Sequence, residues 1–136
     1  MYSIPGANRR LRLLYAIVLI LSLSFTLYEE LFLRRWLYRH LGRSSVIAGS
    51  LPNFLAVLIF SFAFALIRLP KSSQDIARMV TSIVAGLILY EVAQIWMPHR
   101  VFDWNDVAAT LIGGAVAWTL IRISAGKVHA FSRIAG

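Results

Sequence analysis

The fold is decided by residues 51–69, which read LPNFLAVLIFSFAFALIRL. After Asn53 the only polar residues in this stretch are Ser61 and Arg68. A helix needs about 20 mainly apolar residues to cross roughly 30 Å of hydrocarbon. The run does not alternate apolar and polar residues as a barrel strand does, so it predicts a transmembrane helix.

Three more apolar segments of similar length occur along the chain. With the first they form the set 13–28, 51–69, 79–97 and 107–123. We therefore expect an all-α fold, a membrane-embedded four-helix transmembrane bundle that occupies residues 1–136 as a single domain. The short connection between the last two segments makes them an antiparallel hairpin.

The first segment follows Arg9, Arg10 and Arg12 and so resembles a signal peptide. No clear small-residue cleavage site follows it, and Glu29 and Glu30 come next. We interpret the segment as a retained first helix.

Composition agrees with a membrane protein. The 136 residues are 59% apolar with a mean hydropathy of +0.71, whereas soluble domains are about 45–50% apolar. The net charge is +8, but most basic residues flank apolar runs, which indicates topology and anionic lipid contact rather than nucleic acid binding. There is no cysteine and the histidines are scattered, so the sequence indicates no metal site and no cofactor.

The distribution of basic residues predicts the topology. Nine of them fall in the N-terminal tail, the second loop and the C-terminal tail, against five in the first and third loops. Basic loops stay on the cytoplasmic side. We therefore expect both termini in the cytoplasm of a bacterial cell, in its plasma (inner) membrane, with the third loop facing outward.

The first loop predicts a short amphipathic helix over about 31–41. Phe32, Trp36 and Leu37 recur at helical spacing, while Arg35 and Arg39 fall on the opposite side. Such a helix can lie in the headgroup layer and gather anionic lipids, or it can simply pack on the bundle.

A polar cluster lies where the third segment ends and the fourth begins. Glu91 and Gln94 are three residues apart and share a helix face. Arg100, Asp103 and Asp106 follow in the short turn. Ionisable groups so near the hydrocarbon are costly, and they indicate a functional site.

We take three carboxylates of this cluster as candidate catalytic residues: Glu91, Asp103 and Asp106. The candidate substrate-binding residues are Gln94, Arg100, Asn53 and Thr110. Three of these residues have a simpler structural explanation: Asp106 and Asn53 can cap helices, and Arg100 can form an ion pair that fixes the hairpin.

Small residues predict close helix contacts. Ala109, Gly113 and Ala117 form one ridge on the fourth helix, and Ser82 and Gly86 begin another on the third. Small residues let helix backbones approach in lipid.

The ordered set of Glu91 and Gln94, then Arg100, then Asp103 and Asp106, resembles the signature half of the VanZ-like family. That family's pattern continues with a small-residue helix, here carrying Gly113 and Gly114, and the stretch 50–54 is similar to the start of its second helix. Thr110 stands where the family often has Asn, and Pro52 and Asn53 stand where many members have Lys and His.

The resemblance implies a bacterial plasma-membrane protein, with a link to resistance against the glycopeptide antibiotic teicoplanin. Our first hypothesis is an outward polar site that binds or modifies an anionic envelope component: a lipid headgroup, a lipid-linked precursor or a glycopeptide. The second is a non-catalytic interaction or assembly subunit in which the cluster is a structural staple. A transporter is the weakest hypothesis, since no inverted repeat is visible. Membrane lipids are the expected partners. The reaction, the substrate and the oligomeric state stay open.

Overall fold

The computed structural model describes the backbone of residues 5–42, 46–70, 72–98 and 101–134, and the side chains of 8–42, 46–70, 72–98 and 101–127. Throughout these ranges the regular structure is helical. The elements are α1 (Pro5–Tyr28), a π-helix (Glu29–Leu33), α2 (Arg34–Leu41), α3 (Val46–Arg68), α4 (Ser73–Ala93), a 3-10 turn (Gln94–Trp96) and α5 (Trp104–Ile134).

The predicted four-helix membrane fold is confirmed. Four helical stretches are long and apolar enough to cross a membrane, and they are Asn8–Leu41, Val46–Arg68, Ser73–Trp96 and Trp104–Lys127. The predicted segments overlap these stretches but are shorter, because helices continue past the apolar run into polar residues that face headgroups or water.

The first helix differs most from its prediction. It does not end at Tyr28 but continues through the π-helix Glu29–Leu33 into α2. The amphipathic segment is therefore a continuation of α1 rather than a separate loop helix. Leu37 is buried by protein, while Phe32 and Trp36 stay exposed on its surface.

Helix starts follow local capping chemistry. The Ser72 hydroxyl accepts a hydrogen bond of 3.0 Å from the Asp75 backbone N–H and so caps α4. Helix α3 begins at Val46, well before Pro52, so Pro52 lies inside the helix and not in its first turn. Asn53, which follows Pro52, is therefore too far along the helix to cap it.

The helices are arranged around a central pair. Helix α3 packs along α5, and α1 contacts both. Helix α4 also packs against both, whereas the backbones of α1 and α4 do not come close together within the described residues. The first and fourth helices therefore flank the α3–α5 pair from different sides.

Glycine sets the approach of α5 to its neighbours. A Cβ added at Gly113 would meet the Phe54 carbonyl oxygen at 3.0 Å, and one at Gly114 would meet Val84 Cγ2 at 2.5 Å. The ridge predicted on the fourth helix is therefore a real contact with α3. The ridge predicted on the third helix is wrong, because Ser82 is exposed and a Cβ at Gly86 would meet nothing within 4 Å.

One end of the bundle has an apolar core. Tyr15 of α1 packs edge-on against Phe62 of α3, with ring centroids 5.8 Å apart. The cluster of buried apolar residues around this pair is Leu11, Tyr15, Phe62, Ala65, Ile76, Val80, Ile121 and Ala125. This core fixes the height at which α1 crosses α3.

Candidate functional site

Buried polar side chains gather at the end of the bundle away from this core. Tyr15 of the first helix contacts Phe62 of α3, and the two helices are antiparallel. Glu29 lies as many residues after Tyr15 as Ala48 lies before Phe62. Glu29 and Ala48 are therefore at about the same height in the bundle. Gly113 of α5 meets α3 at Phe54 and Val57, and α5 runs parallel to α3. At 1.5 Å per residue, Asp106 then also comes to about the height of Ala48.

The helices therefore bring their polar residues into one layer about two turns thick. We call it the polar layer. Its members are Glu29, Ser50, Asn53, Glu91, Gln94, Asp106 and Thr110. All but Asn53 and Asp106 are fully buried in the fold, and those two are partly buried.

Glu91 is the centre of one half of the layer. It is 2% exposed, and its Oε2 accepts a hydrogen bond of 2.8 Å from Gln94 Nε2. Asn53 of α3 lies close enough to interact with the same carboxyl, and Asp106 of α5 is a second negative group beside it. The structure thus brings together four of the residues chosen from the sequence.

Several polar atoms in the layer have no hydrogen-bond partner. The Thr110 hydroxyl is 1% exposed and unpartnered, as are the Ser50 hydroxyl and Asp106 Oδ1. Buried polar groups are nearly always hydrogen-bonded, and each exception needs an explanation. A bound substrate or water would supply the missing partners.

The functional residue that the sequence reasoning missed is Glu29. It is 0% exposed, and neither carboxylate oxygen has a hydrogen-bond partner. It begins the π-helix, and π-helical turns inside α-helices are frequent at functional sites. In the sequence, Glu29 served only to argue against signal-peptide cleavage. The missed signal was an acidic residue inside a helix long enough to span the membrane.

The residue next to Glu29 behaves differently. Glu30 is 59% exposed and accepts a hydrogen bond of 2.6 Å from Arg34 Nη1, one helical turn later. Arg34 and Glu30 are also the charged neighbours of Glu29. Two adjacent glutamates thus occupy opposite environments.

Two residues of the predicted cluster do not join the layer in the described structure. Asp103 is exposed, and its Oδ1 accepts hydrogen bonds of 2.8 Å from the backbone N–H and the side-chain amide of Asn105. Its backbone carbonyl accepts from Asp106 N–H, so Asp103 organises the first turn of α5. Arg100 lies outside the described residues.

The layer carries groups suited to proton transfer and carbonyl polarisation. Glu29 offers free carboxylate oxygens, and Thr110 offers a free hydroxyl. The Asn53 amide can donate as well. Within the described residues no group of three or more His, Cys, Asp or Glu side chains could hold a metal ion.

A groove whose lining begins at Tyr28, the residue before Glu29 in the chain, opens on the surface of the first helix. It has a volume of about 600 Å³ and follows the π-helix into α2. Its lining combines Tyr28, Phe32 and Trp36 with Arg35 and Arg39. An apolar and basic groove at a helix end suits a lipid-anchored ligand.

A comparison with protein-family models gives one match, which covers residues 11–131 and is described as Rce1-like, type II CAAX prenyl endopeptidase. No curated protein and no solved structure matches the chain. The match overturns the resemblance to the VanZ-like family, and with it the link to glycopeptide resistance and both hypotheses built on that resemblance. The shared elements were short, and one of them, Asp103, organises a helix start that many hairpins need.

Proposed function

The chain belongs to the Rce1-like family of type II CAAX prenyl endopeptidases, and we propose that it is a membrane-embedded endopeptidase whose catalytic carboxylate is Glu29. The observation that carries this proposal is the burial of Glu29 with both oxygens unpartnered. A buried carboxylate without partners destabilises a fold, and such sites are common where function requires them.

The proposed reaction is hydrolysis of a peptide bond. Glu29 accepts a proton from a water molecule as the water oxygen bonds to the peptide carbonyl carbon. The carbon–nitrogen bond then breaks, and the proton passes from Glu29 to the leaving amine. The products are a carboxylic acid and an amine, which become a carboxylate and an ammonium group when the acid gives its proton to the amine, so atoms and charge balance.

Polar side chains from α3 and α5 complete the proposed site. The unpartnered Thr110 hydroxyl and the Asn53 amide are donors that can stabilise the oxyanion as the tetrahedral intermediate forms. Glu91, held by Gln94, orients Asn53 by accepting from it. We keep Asp106 as a second carboxylate of the site, whereas the hydrogen bonds of Asp103 favour a structural role.

We propose a peptide with a lipid anchor as the substrate. The family description names CAAX prenyl substrates, in which a cysteine near the C-terminus carries a prenyl chain. A prenyl chain would hold the peptide at the membrane surface, and the groove lined by Phe32 and Trp36, on the same helical segment as Glu29, is the surface that we propose receives it. Arg35 and Arg39 in the same groove favour a peptide that ends in a free carboxylate.

The test is hydrolysis of an internally quenched peptide with a farnesylated C-a-a-X end by the purified chain in nanodiscs. We expect cleavage next to the farnesyl-cysteine and weaker cleavage of the unprenylated peptide. Glu29→Gln keeps the shape but removes the base, so the rate should fall by about 10²–10⁴.

The matched control is Glu30→Gln, the same change one residue later at an exposed position. It should lower the rate by less than about tenfold, since an exposed ion pair contributes little. A folded Glu29→Gln protein that cleaves at the parent rate would remove the proposal. Equal losses in the two variants would show that the segment matters but that Glu29 is not its catalytic group.

We also propose the topology indicated by the basic residues, with both termini on the cytoplasmic side of a bacterial inner membrane. The basic tails and the second loop support it. Reporter fusions at the C-terminus and in the 98–106 turn test it, and a C-terminus on the outer side would reverse the orientation of the polar layer.

A further inference from the structure

A second groove lies at the opposite end of the bundle from the polar layer. It has a volume of about 920 Å³ and separates α3 from α4. Its apolar walls include Phe60 and Phe64 of α3 and Ile83 of α4. Gly86 forms part of its floor, and a Cβ there would meet nothing within 4 Å.

The walls of this groove belong to two membrane-spanning helices. Water is unfavourable against such apolar walls, so in a bilayer an open groove of this size is filled by an acyl chain. Its volume falls within the ~300–1,000 Å³ range of ligand sites in proteins. Small residues at Ser82 and Gly86 create the space.

The end of the groove near the α3–α4 loop is basic. Arg68 at the end of α3 and Arg78 in α4 both line it and are exposed, against the single acidic residue Asp75. Arginine binds phosphate bidentately. Arginines at this level face the headgroups, because they flank the apolar spans.

We propose that this α3–α4 groove is a binding site for an anionic phospholipid, whose acyl chain lies along Phe60 and Phe64 and whose phosphate contacts Arg68 and Arg78. The two features are joined in one groove, which matches the two parts of a lipid molecule. The site does not depend on the proposed peptidase activity, because it shares no residue with the polar layer.

The experiment measures lipid retention by the delipidated full-length chain in detergent, using native mass spectrometry with added phosphatidylglycerol or phosphatidylcholine. We expect retention of phosphatidylglycerol at lower concentration. Each arginine near a membrane surface is worth ~1 kcal/mol toward anionic lipid, about fivefold in Kd. The double variant Arg68→Gln with Arg78→Gln should therefore weaken phosphatidylglycerol binding by roughly 25-fold. Phosphatidylcholine binding should fall much less, because its choline cation offsets the charge of its phosphate.

The matched control for charge is Arg122→Gln on α5, whose guanidinium lies 4.9 Å from the Trp118 ring and outside the groove. It should leave phosphatidylglycerol binding unchanged. An effect as large as that of the double variant would mean that the lipid responds only to overall charge, and would overturn the site.

The acyl part is tested by Gly86→Leu, which fills the groove, against Gly126→Leu, where a side chain also has open space. Gly86→Leu should reduce retention of both lipids, and Gly126→Leu should not. Equal retention in the two variants would overturn the proposal, as would full competition by glycerol phosphate, which has no acyl chain. If Gly86→Leu fails to fold, the arginine variants still test the proposed lipid site. Arg68 and Arg78 are exposed, so their substitution should not disturb folding.

Discussion

The two ends of this bundle bury different kinds of side chain. Around Tyr15 and Phe62, apolar side chains fill the space between four helices, and the aromatic contact fixes the relative height of α1 and α3. Around Glu29 and Glu91, the same helices bury carboxylates, amides and hydroxyls, several of them without partners. Apolar packing stabilises a helix bundle in lipid, whereas unpartnered polar groups weaken it. The contrast shows that the apolar end stabilises the fold and that the polar end is available for chemistry.

The largest stability effect is expected at the apolar end. Phe62→Ala removes a fully buried ring and its contact with Tyr15, which should cost roughly 3–5 kcal/mol. Glu29→Gln at the polar end should leave the melting temperature equal or higher, because it removes a buried carboxylate that has no partner. Thermal unfolding of both variants in the same nanodiscs measures the difference.

Reversed effects of these two variants on stability would contradict the difference between the two ends. A Glu29→Gln protein that melts far below the parent would mean that Glu29 stabilises the bundle through a bound partner. Activity of Phe62→Ala should fall only in proportion to the folded fraction, since Phe62 lies away from the polar layer.

The next largest effect on stability is expected between the two ends, at the contact of α5 with α3. Gly113→Leu places a side chain against the Phe54 carbonyl and Val57, which cannot move aside without separating the helices. Overpacking of this kind costs about 1–3 kcal/mol or more. Leu111→Ala, at a side chain 53% exposed on the same helix, should have a much smaller effect.

Melting temperatures of these two variants, measured together, check the packing of α5. Equal shifts in melting temperature would mean that Gly113 faces lipid. The contact of Gly113 with α3, which sets the height of Asp106 in the polar layer, would then be wrong. The Gly113→Leu variant should also lose activity, because Asp106 and Thr110 lie on the same stretch of α5.

The sequence predicted the architecture well because long apolar runs have few alternative folds in lipid. It predicted the helix ends less well. Polar residues at 29–41 were interpreted as a loop helix, although a helix with no breaker continues through them. No glycine or proline occurs in that stretch, and the first ones after it are Gly42 and Pro52.

Five of the seven residues of the polar layer were among those chosen from the sequence, and for three of them the reason is local spacing. Glu91 and Gln94 share a helix face by their separation alone, and Asp106 follows within one short turn. Glu29 comes from a distant part of the chain, and only the packing of α1 on α3 and α5 brings it to the same height. Asp103 and Asp106 looked equivalent in sequence, and only the hydrogen bonds distinguish the helix start from the buried carboxylate.

The family was misassigned for a related reason. The pattern from Glu91 to Asp106 lies in one hairpin, and a hairpin alone does not distinguish families of small helical membrane proteins. The acidic pair Glu29 and Glu30 at the end of α1 was available in the sequence but was not used as a motif.

The smallest expected effect on stability concerns two neighbouring residues, Glu29 and Glu30. Glu30 is paired with Arg34 but is largely exposed, and exposed pairs one turn apart contribute about 0.2–1 kcal/mol. Glu30→Gln should therefore lower stability by no more than this amount, and high salt should reduce the difference, because salt screens exposed charges. Melting curves of parent and variant at low and high salt measure it. A loss of several kcal/mol that persists in high salt would mean that the pair is shielded by lipid or by another part of the chain. In that case the contrast between a buried, unpaired Glu29 and an exposed, paired Glu30 would no longer support the proposal that Glu29 is the catalytic residue.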